Sequence, residues 1–343
     1  STGQLRVAGT LTRPAQVETL ELSGPGLDAQ GSVRLNADGS LGSVSLSRVE
    51  VGSWLSAPVT LTGRGSGVPP AVRVSGGRVD LRNAPFGSGA GGGGAGRVPL
   101  ALALDSLQIS NTIRLTNFRA DLQSGSGMTG NFTASVNGNA PISGEALAQN
   151  GRTAFRITSA DAGRVIREAG ILQTVAGGEM SLALTPVAGR TGSYDGALDV
   201  TNARLRDAPG IASLLDAISI VGLLDQLEGP GILFNEVEAR FRLTPDRLIL
   251  TQSSATGPSM GISLDGIYDL SSRNLDFQGV LSPIFFLNGI GSIFTRRGEG
   301  LIGFNFNLTG AASDPRVSVN PLSALTPGMF RELFRRPPPS PGE

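Results

Sequence analysis

Polar and apolar residues alternate with a period of two along almost the whole chain, the pattern of strands that keep one face dry and one wet. The segment from Glu236 to Leu243 is the plainest. Glu236, Glu238, Arg240 and Arg242 take one side, and Val237, Ala239, Phe241 and Leu243 take the other. The same text recurs at Leu100, Leu102 and Leu104, at Phe132, Ala134 and Val136, at Met180, Leu182 and Leu184, at Leu275 and Phe277, and at Phe304, Phe306 and Leu308. Turn residues such as Asn36-Ala37-Asp38-Gly39 and Thr244-Pro245-Asp246 separate the runs at hairpin spacing, so the sheet is expected to be mostly antiparallel.

Helical text is confined to short stretches. One runs from Ala162 to Ala176, with Asp161 as N-cap and Gly177-Gly178 as the stop. A second, from Pro209 to Glu228, carries the stripe Ile211, Leu214, Leu215, Ile218 and Val221 and ends at Gly229-Pro230-Gly231. Two more are expected from Pro283 to Phe294 and from Pro327 to Arg336. Glycine and proline fill 49 and 21 of 343 positions, which excludes long uninterrupted helices. With so little helix to cover it, the dry face must pack on a second sheet, curl onto itself as a barrel or groove, or hold an apolar ligand.

The missing residue types narrow the chemistry. His and Cys both count 0, and no Lys occurs, so the commonest general base, the thiol nucleophile, the Schiff-base amine and the usual zinc, haem and iron–sulfur ligands are absent. No metal or cofactor is therefore expected, and Ser, Thr, Tyr, Asp, Glu and Arg are what remains for chemistry. The 28 Arg balance 28 acidic residues, which argues against nucleic acid as a partner. Gly257-Pro258-Ser259-Met260-Gly261 matches the nucleophile-elbow pattern, but no histidine exists to activate Ser259, and strand text follows where a helix is needed. Gly298-Glu299-Gly300-Leu301-Ile302-Gly303 matches a dinucleotide fingerprint, again followed by strand text. Carboxylates remain: Asp265 with Asp269, and Asp195 with Asp199, share strand faces as glycosidase-type pairs or as ordinary polar surface.

The N-terminus has no basic region followed by an apolar stretch, and no run of about 18 apolar residues occurs anywhere, so the chain is not expected to span a membrane by itself. It opens directly in strand-like text, as a piece of something longer would. Most phenylalanines lie from Phe234 onward. The final helical stretch sets Phe330, Leu333 and Phe334 against Arg331 and Arg335, a layout for a membrane interface or for docking on the sheet.

Beginning at Asp161-Ala162-Gly163-Arg164-Val165-Ile166-Arg167-Glu168-Ala169-Gly170, the second half resembles the C-terminal region of AsmA-like bacterial envelope proteins. The resemblance continues through Gly177-Gly178-Glu179-Met180, through the stretch from Gly196 to Pro209, through Gly229-Pro230-Gly231, and to Gly310-Ala311-Ala312-Ser313-Asp314-Pro315-Arg316-Val317. It implies an elongated, twisted, mainly β protein whose sheet curls into an apolar groove, with a few short helices at its edges and C-terminal end. The implied organisation is a repetitive β segment over 1–150, with a Gly-rich loop at 87–96, then an AsmA-like region over 151–336 and a Pro-rich tail over 337–343. The implied role is non-enzymatic, bridge-like transfer of phospholipid across the periplasm, from a longer inner-membrane-anchored protein. Groove-lining residues are then Val237, Ala239, Phe241, Leu243, Phe277, Phe304 and Phe306. Membrane-interface residues are Phe285, Phe286, Phe294, Phe330, Leu333, Phe334, Arg331 and Arg335. A structural or adhesive β-sandwich with a closed core makes the same demand on side chains and stays open as the alternative.

Overall fold

The computed structural model describes residues 3–10, 12, 14–84, 96–218, 221–283, 303–312, 314–320, 322–323 and 336–340. The protein is mainly β: 21 strands, nearly all paired antiparallel, against three short helices among the described residues. It divides into two compact units, Ser1–Phe155 and Arg156–Glu343.

The first unit is a meander of β1 (Gln4–Thr10), β2 (Gln16–Gly24), β3 (Leu27–Leu35), β4 (Leu41–Val51) and β5 (Leu55–Thr62), each paired antiparallel with the next. Ladder irregularities fall side by side on these strands, at Ala8/Gly9, Val17/Leu20, Gln30/Gly31 and Leu46/Val49, so they form one crease across the sheet. Pro58 sits on β5 where β4 has residues to spare, so its missing N–H falls at a break in the ladder. Beyond the crease, β6 (Ala71–Ser75) and β7 (Arg78–Asp80) share one strand position, interrupted at Gly76-Gly77. Both pair antiparallel with β5 and parallel with β8 (Val98–Gln108). The connection from 81 to 97 therefore joins strands that run parallel in one sheet. The meander resumes with β9 (Arg114–Gly125), β10 (Gly127–Val136) and β11 (Ala140–Gln149). Here the dry face is deepest, with Leu104 only 1% exposed and Phe118 stacked on Phe132 at 5.7 Å.

β12 (Arg152–Ser159) carries the chain into the second unit, where Asp161 caps α1 (Ala162–Glu168) by accepting from the Arg164 amide. The helix stops well short of Gly177-Gly178. Gly170, at φ +73°, donates to Arg167, and Ile171 donates to Ile166, closing the last turn in a Schellman motif that a left-handed glycine permits. After β13 (Val175–Ala176), β14 (Glu179–Pro186) and β15 (Tyr194–Leu205), the expected single helix from Pro209 to Glu228 is two, α2 (Pro209–Ala217) and α3 (Val221–Glu228). Ile218, at the C-cap of α2, is β-branched and poor helix text. Dividing there folds both apolar stripes onto one core: Leu214, Leu215, Leu223 and Leu227 are all buried against Ile232, Phe234, Met260, Leu281 and Phe306. Each such leucine contributes roughly 2 kcal/mol by leaving water. The meander ends with β16 (Ile232–Leu243), β17 (Arg247–Thr256), β18 (Gly261–Asp269), β19 (Asn274–Ser282), β20 (Phe304–Ala311) and β21 (Arg316–Asn320), all antiparallel. The expected helices over 283–294 and 327–336 lie, but for Pro283 and Arg336, outside the described residues.

Candidate functional site: the apolar face of the second unit

Residues directly opposite one another in an antiparallel ladder project to the same side of the sheet, so the register assigns each side chain to a face. At one end, Tyr194, Leu243, Leu248, Tyr268 and Leu275 form a row across β15 to β19. The next row inward is Gly196, Phe241, Leu250, Gly266, Phe277 and Leu308. Further rows bring Leu198 beside Ala239, Gly279 beside Phe306, and then Val200, Val237, Ala255, Ile262, Leu281 and Phe304 together. All seven groove-lining candidates thus lie on one side of one sheet. Phe277 and Phe306 are buried, at 7% and 4% exposure, whereas Val237, Ala239, Phe241, Leu243 and Phe304 are half-buried. The membrane-interface candidates Phe285, Phe286, Phe294, Phe330, Leu333, Phe334, Arg331 and Arg335 lie outside the described residues.

Three phenylalanines on this face stand directly opposite glycines: Phe241 opposite Gly196, Phe277 opposite Gly266 and Phe306 opposite Gly279. A Cβ built on Gly196 would fall 2.2 Å from the Phe241 ring, and those on Gly266 and Gly279 would come within 2.5 and 2.6 Å of their rings. The rings therefore lie over the glycine backbone, which covers the strands and keeps the face low. Phe132 and Gly144 repeat the arrangement in the first unit, at 2.1 Å. Glycines in phase with apolar residues, as in Gly196, Leu198 and Val200, are visible in the sequence, but their partners are not until the register is known.

The two ends of the face differ. α2 and α3 lie over the Phe234 and Met260 end, where Leu215, Leu227, Ile232, Met260 and Leu281 are all 0% exposed. At the tyrosine end the connections are the short turns between β14 and β15, β16 and β17, β18 and β19, and β20 and β21.

The opposite face takes up the carboxylates that share strand faces. Asp195 accepts two hydrogen bonds from Arg242, at 2.8 and 3.0 Å, and Asp199 lies 3.9 Å from Arg240. Asp269 accepts from the Ser271 and Ser272 hydroxyls and amides, which hold its carboxyl down to about 2. Asp265 is buried and accepts from Gln278 Nε2 at 2.8 Å. These are turn-closing and ion-pairing roles. Ser259 lies in the connection from β17 to β18 and leads into a strand, without the helix that a nucleophile elbow requires. Among the described residues no group of three or more acidic side chains is gathered to hold a metal, and no helix is long and apolar enough to cross a membrane.

A clamp on this polar face went unnoticed in the sequence. The Gln278 side-chain amide donates to the Arg336 carbonyl at 2.6 Å and accepts from the Arg336 amide at 3.0 Å, while the Arg336 guanidinium grips Asp276 at 2.7 and 3.0 Å. Hydrogen bonding from Arg336 holds the Asp276 carboxyl below its ordinary value. A carboxylate lowered in this way stabilises the folded arrangement fully above its unfolded value of about 4, and the contribution is lost as pH falls through the lower folded value. The protection factor of the Arg336 amide, which corrects for the intrinsic slowing of exchange in acid, is accordingly expected to fall on acidification below that range, and at neutral pH in Arg336→Ala. Equal protection in the variant and the parent would show that the clamp does not hold the tail.

No family model, curated protein or solved structure matches the chain.

Proposed function

We propose that the chain is a non-enzymatic envelope protein that holds or conducts phospholipid acyl chains along its apolar β face, in the periplasm between inner and outer membranes, supporting outer-membrane lipid homeostasis. The observation that carries this reading is the second unit's face. Its rows are apolar in register across consecutive strands, one end is covered by α2 and α3, and the other is lined by half-buried side chains. Each methylene kept out of water on such a face is worth about 0.8 kcal/mol, so a passive surface lowers the cost of moving lipid tails and needs no reactive group. The resemblance to AsmA-like proteins supplies the compartment and the membrane surface as partner, with contact at the C-terminal end through Phe285, Phe286, Phe294, Phe330, Leu333, Phe334, Arg331 and Arg335. Mass spectrometry of the purified chain under native conditions is expected to release phospholipid in stoichiometric amount; a lipid-free chain that takes up none from vesicles refutes the proposal.

A second reading, a structural or adhesive β protein with a closed core, draws its support from Phe306, which is 4% exposed and packed into the same core as Leu214 and Leu227. On that reading the whole face is interior.

A further inference from the structure

Independently of the lipid reading, we propose that the open edge of β1 joins the β1 of a second copy of this chain, antiparallel, in a symmetric ladder centred on Val7. Among the described residues β1 is laddered on one side alone, to β2. All seven of its residues are exposed, and the apolar face of the sheet runs out to it: Leu5 and Val7, opposite Leu22 and Leu20, are 63% and 55% exposed. An open edge presents a row of backbone donors and acceptors that another strand matches residue for residue, and proteins ordinarily blunt it with lysine, proline, a bulge or an inward charge. β1 carries none of these. The irregularity in its ladder adds Glu18 to β2 and leaves Gln4 to Thr10 continuous, and its one charge, Arg6, lies on the wet side opposite Glu21. By contrast, β21 also ladders on one side, to β20, but its Val317 and Val319 pack against the core that α2 and α3 close.

The sequence of β1 is what selects a second β1 as its partner. A copy rotated by half a turn about the sheet normal keeps dry side with dry side, and the two strands then run antiparallel with one residue meeting itself at the axis. Centred on Val7, the ladder engages the whole strand: Gln4 stands opposite Thr10, Leu5 opposite Gly9, Arg6 opposite Ala8, and Val7 opposite its own counterpart. The small Gly9 and Ala8 receive the long side chains. A centre at Arg6 would set two guanidinium groups directly opposite, which is destabilising, and a centre at Leu5 would run Val7 to Thr10 past the end of the partner strand. One ladder is a small interface, so the dimer forms reversibly and in proportion to concentration.

The chain has no cysteine, so single cysteines introduced into the full chain report the register. Treated with diamide, Val7→Cys is expected to form a disulfide-linked dimer, because residues directly opposite stand about 4.5–5.5 Å apart, within reach of a disulfide. Leu5→Cys is expected to stay monomeric, its counterpart in the second copy being four residues or about 13 Å farther along. Mixing Arg6→Cys with Ala8→Cys is expected to give a crosslinked pair in far higher yield than either variant alone. Without oxidant, sedimentation of the parent chain is expected to show a concentration-dependent dimer. Val7→Lys, at a position already exposed, sets two ammonium groups face to face at the axis and is expected to weaken that dimer roughly tenfold or more. A parent chain that sediments as a monomer at every concentration overturns the proposal, as does equal crosslinking at Leu5 and Val7. A dimer that Val7→Lys leaves intact is held by another surface and overturns it too.

Discussion

Phe306→Glu is expected to unfold the second unit, whereas Phe241→Glu leaves it folded and strips it of lipid. Phe306 is 4% exposed in the core that α2 and α3 close, so a carboxylate there has neither water nor a counter-charge. Removing compensation from a buried charge costs about 3–5 kcal/mol, a large part of the roughly 5–15 kcal/mol that holds a domain together. Phe241 lies on the same face but half-buried and nearer the tyrosine row. A flexible glutamate at that site can turn its head to solvent, while its charge on an acyl-binding surface repels the tail. Urea unfolding beside native mass spectrometry separates the two effects. Equal unfolding by both variants would favour the closed-core reading over the lipid one.

Gly196→Ala is expected to destabilise the unit by about 1–3 kcal/mol, the usual cost of forcing extra volume into packed space. The sign is informative because chain entropy argues the other way: replacing glycine by alanine at a compatible backbone position normally stabilises by about 0.4–1 kcal/mol. The added Cβ would fall 2.2 Å from the Phe241 ring, which must rise off the strand, and that clash outweighs the entropy. Phe241→Leu should recover much of the loss when combined with Gly196→Ala, and a coupling above about 0.5 kcal/mol in the double-mutant cycle is the quantity to measure. Additive effects would mean that the ring does not lie where the register places it. Gly144→Ala against Phe132 offers the same experiment in the first unit.

The alternation that made strands legible from Glu236 to Leu243 also assigned Val237, Ala239, Phe241 and Leu243 to one face, because a period of two needs no knowledge of the neighbours. Helix positions were legible where an apolar stripe met a capping residue, as at Asp161, or a first-turn proline, as at Pro209 before Leu214 and Leu215. Helix ends were less so: Gly170 and Gly177 look alike in sequence, and only hydrogen bonding around Gly170 distinguishes the stop from the later turn. Register was not legible, so the opposition of glycine and phenylalanine was hidden although every glycine was in view. The Arg336 clamp was equally hidden. Its partners Gln278 and Asp276 stand about 60 residues earlier, and nothing local marks an arginine before prolines as one that will grip a distant amide.

The strand order has a kinetic consequence. Almost every strand pairs with the one before it, so most ladders form between segments only a turn apart, and loop closure adds little to the barrier. In the first unit β8 is the exception, since its parallel pairing with β6 and β7 brings together segments separated by the connection from 81 to 97. Hairpins on either side can zip independently in microseconds, and this parallel ladder then joins them. In that unit, the docking of one pre-formed meander on another is therefore expected to be the late event in folding.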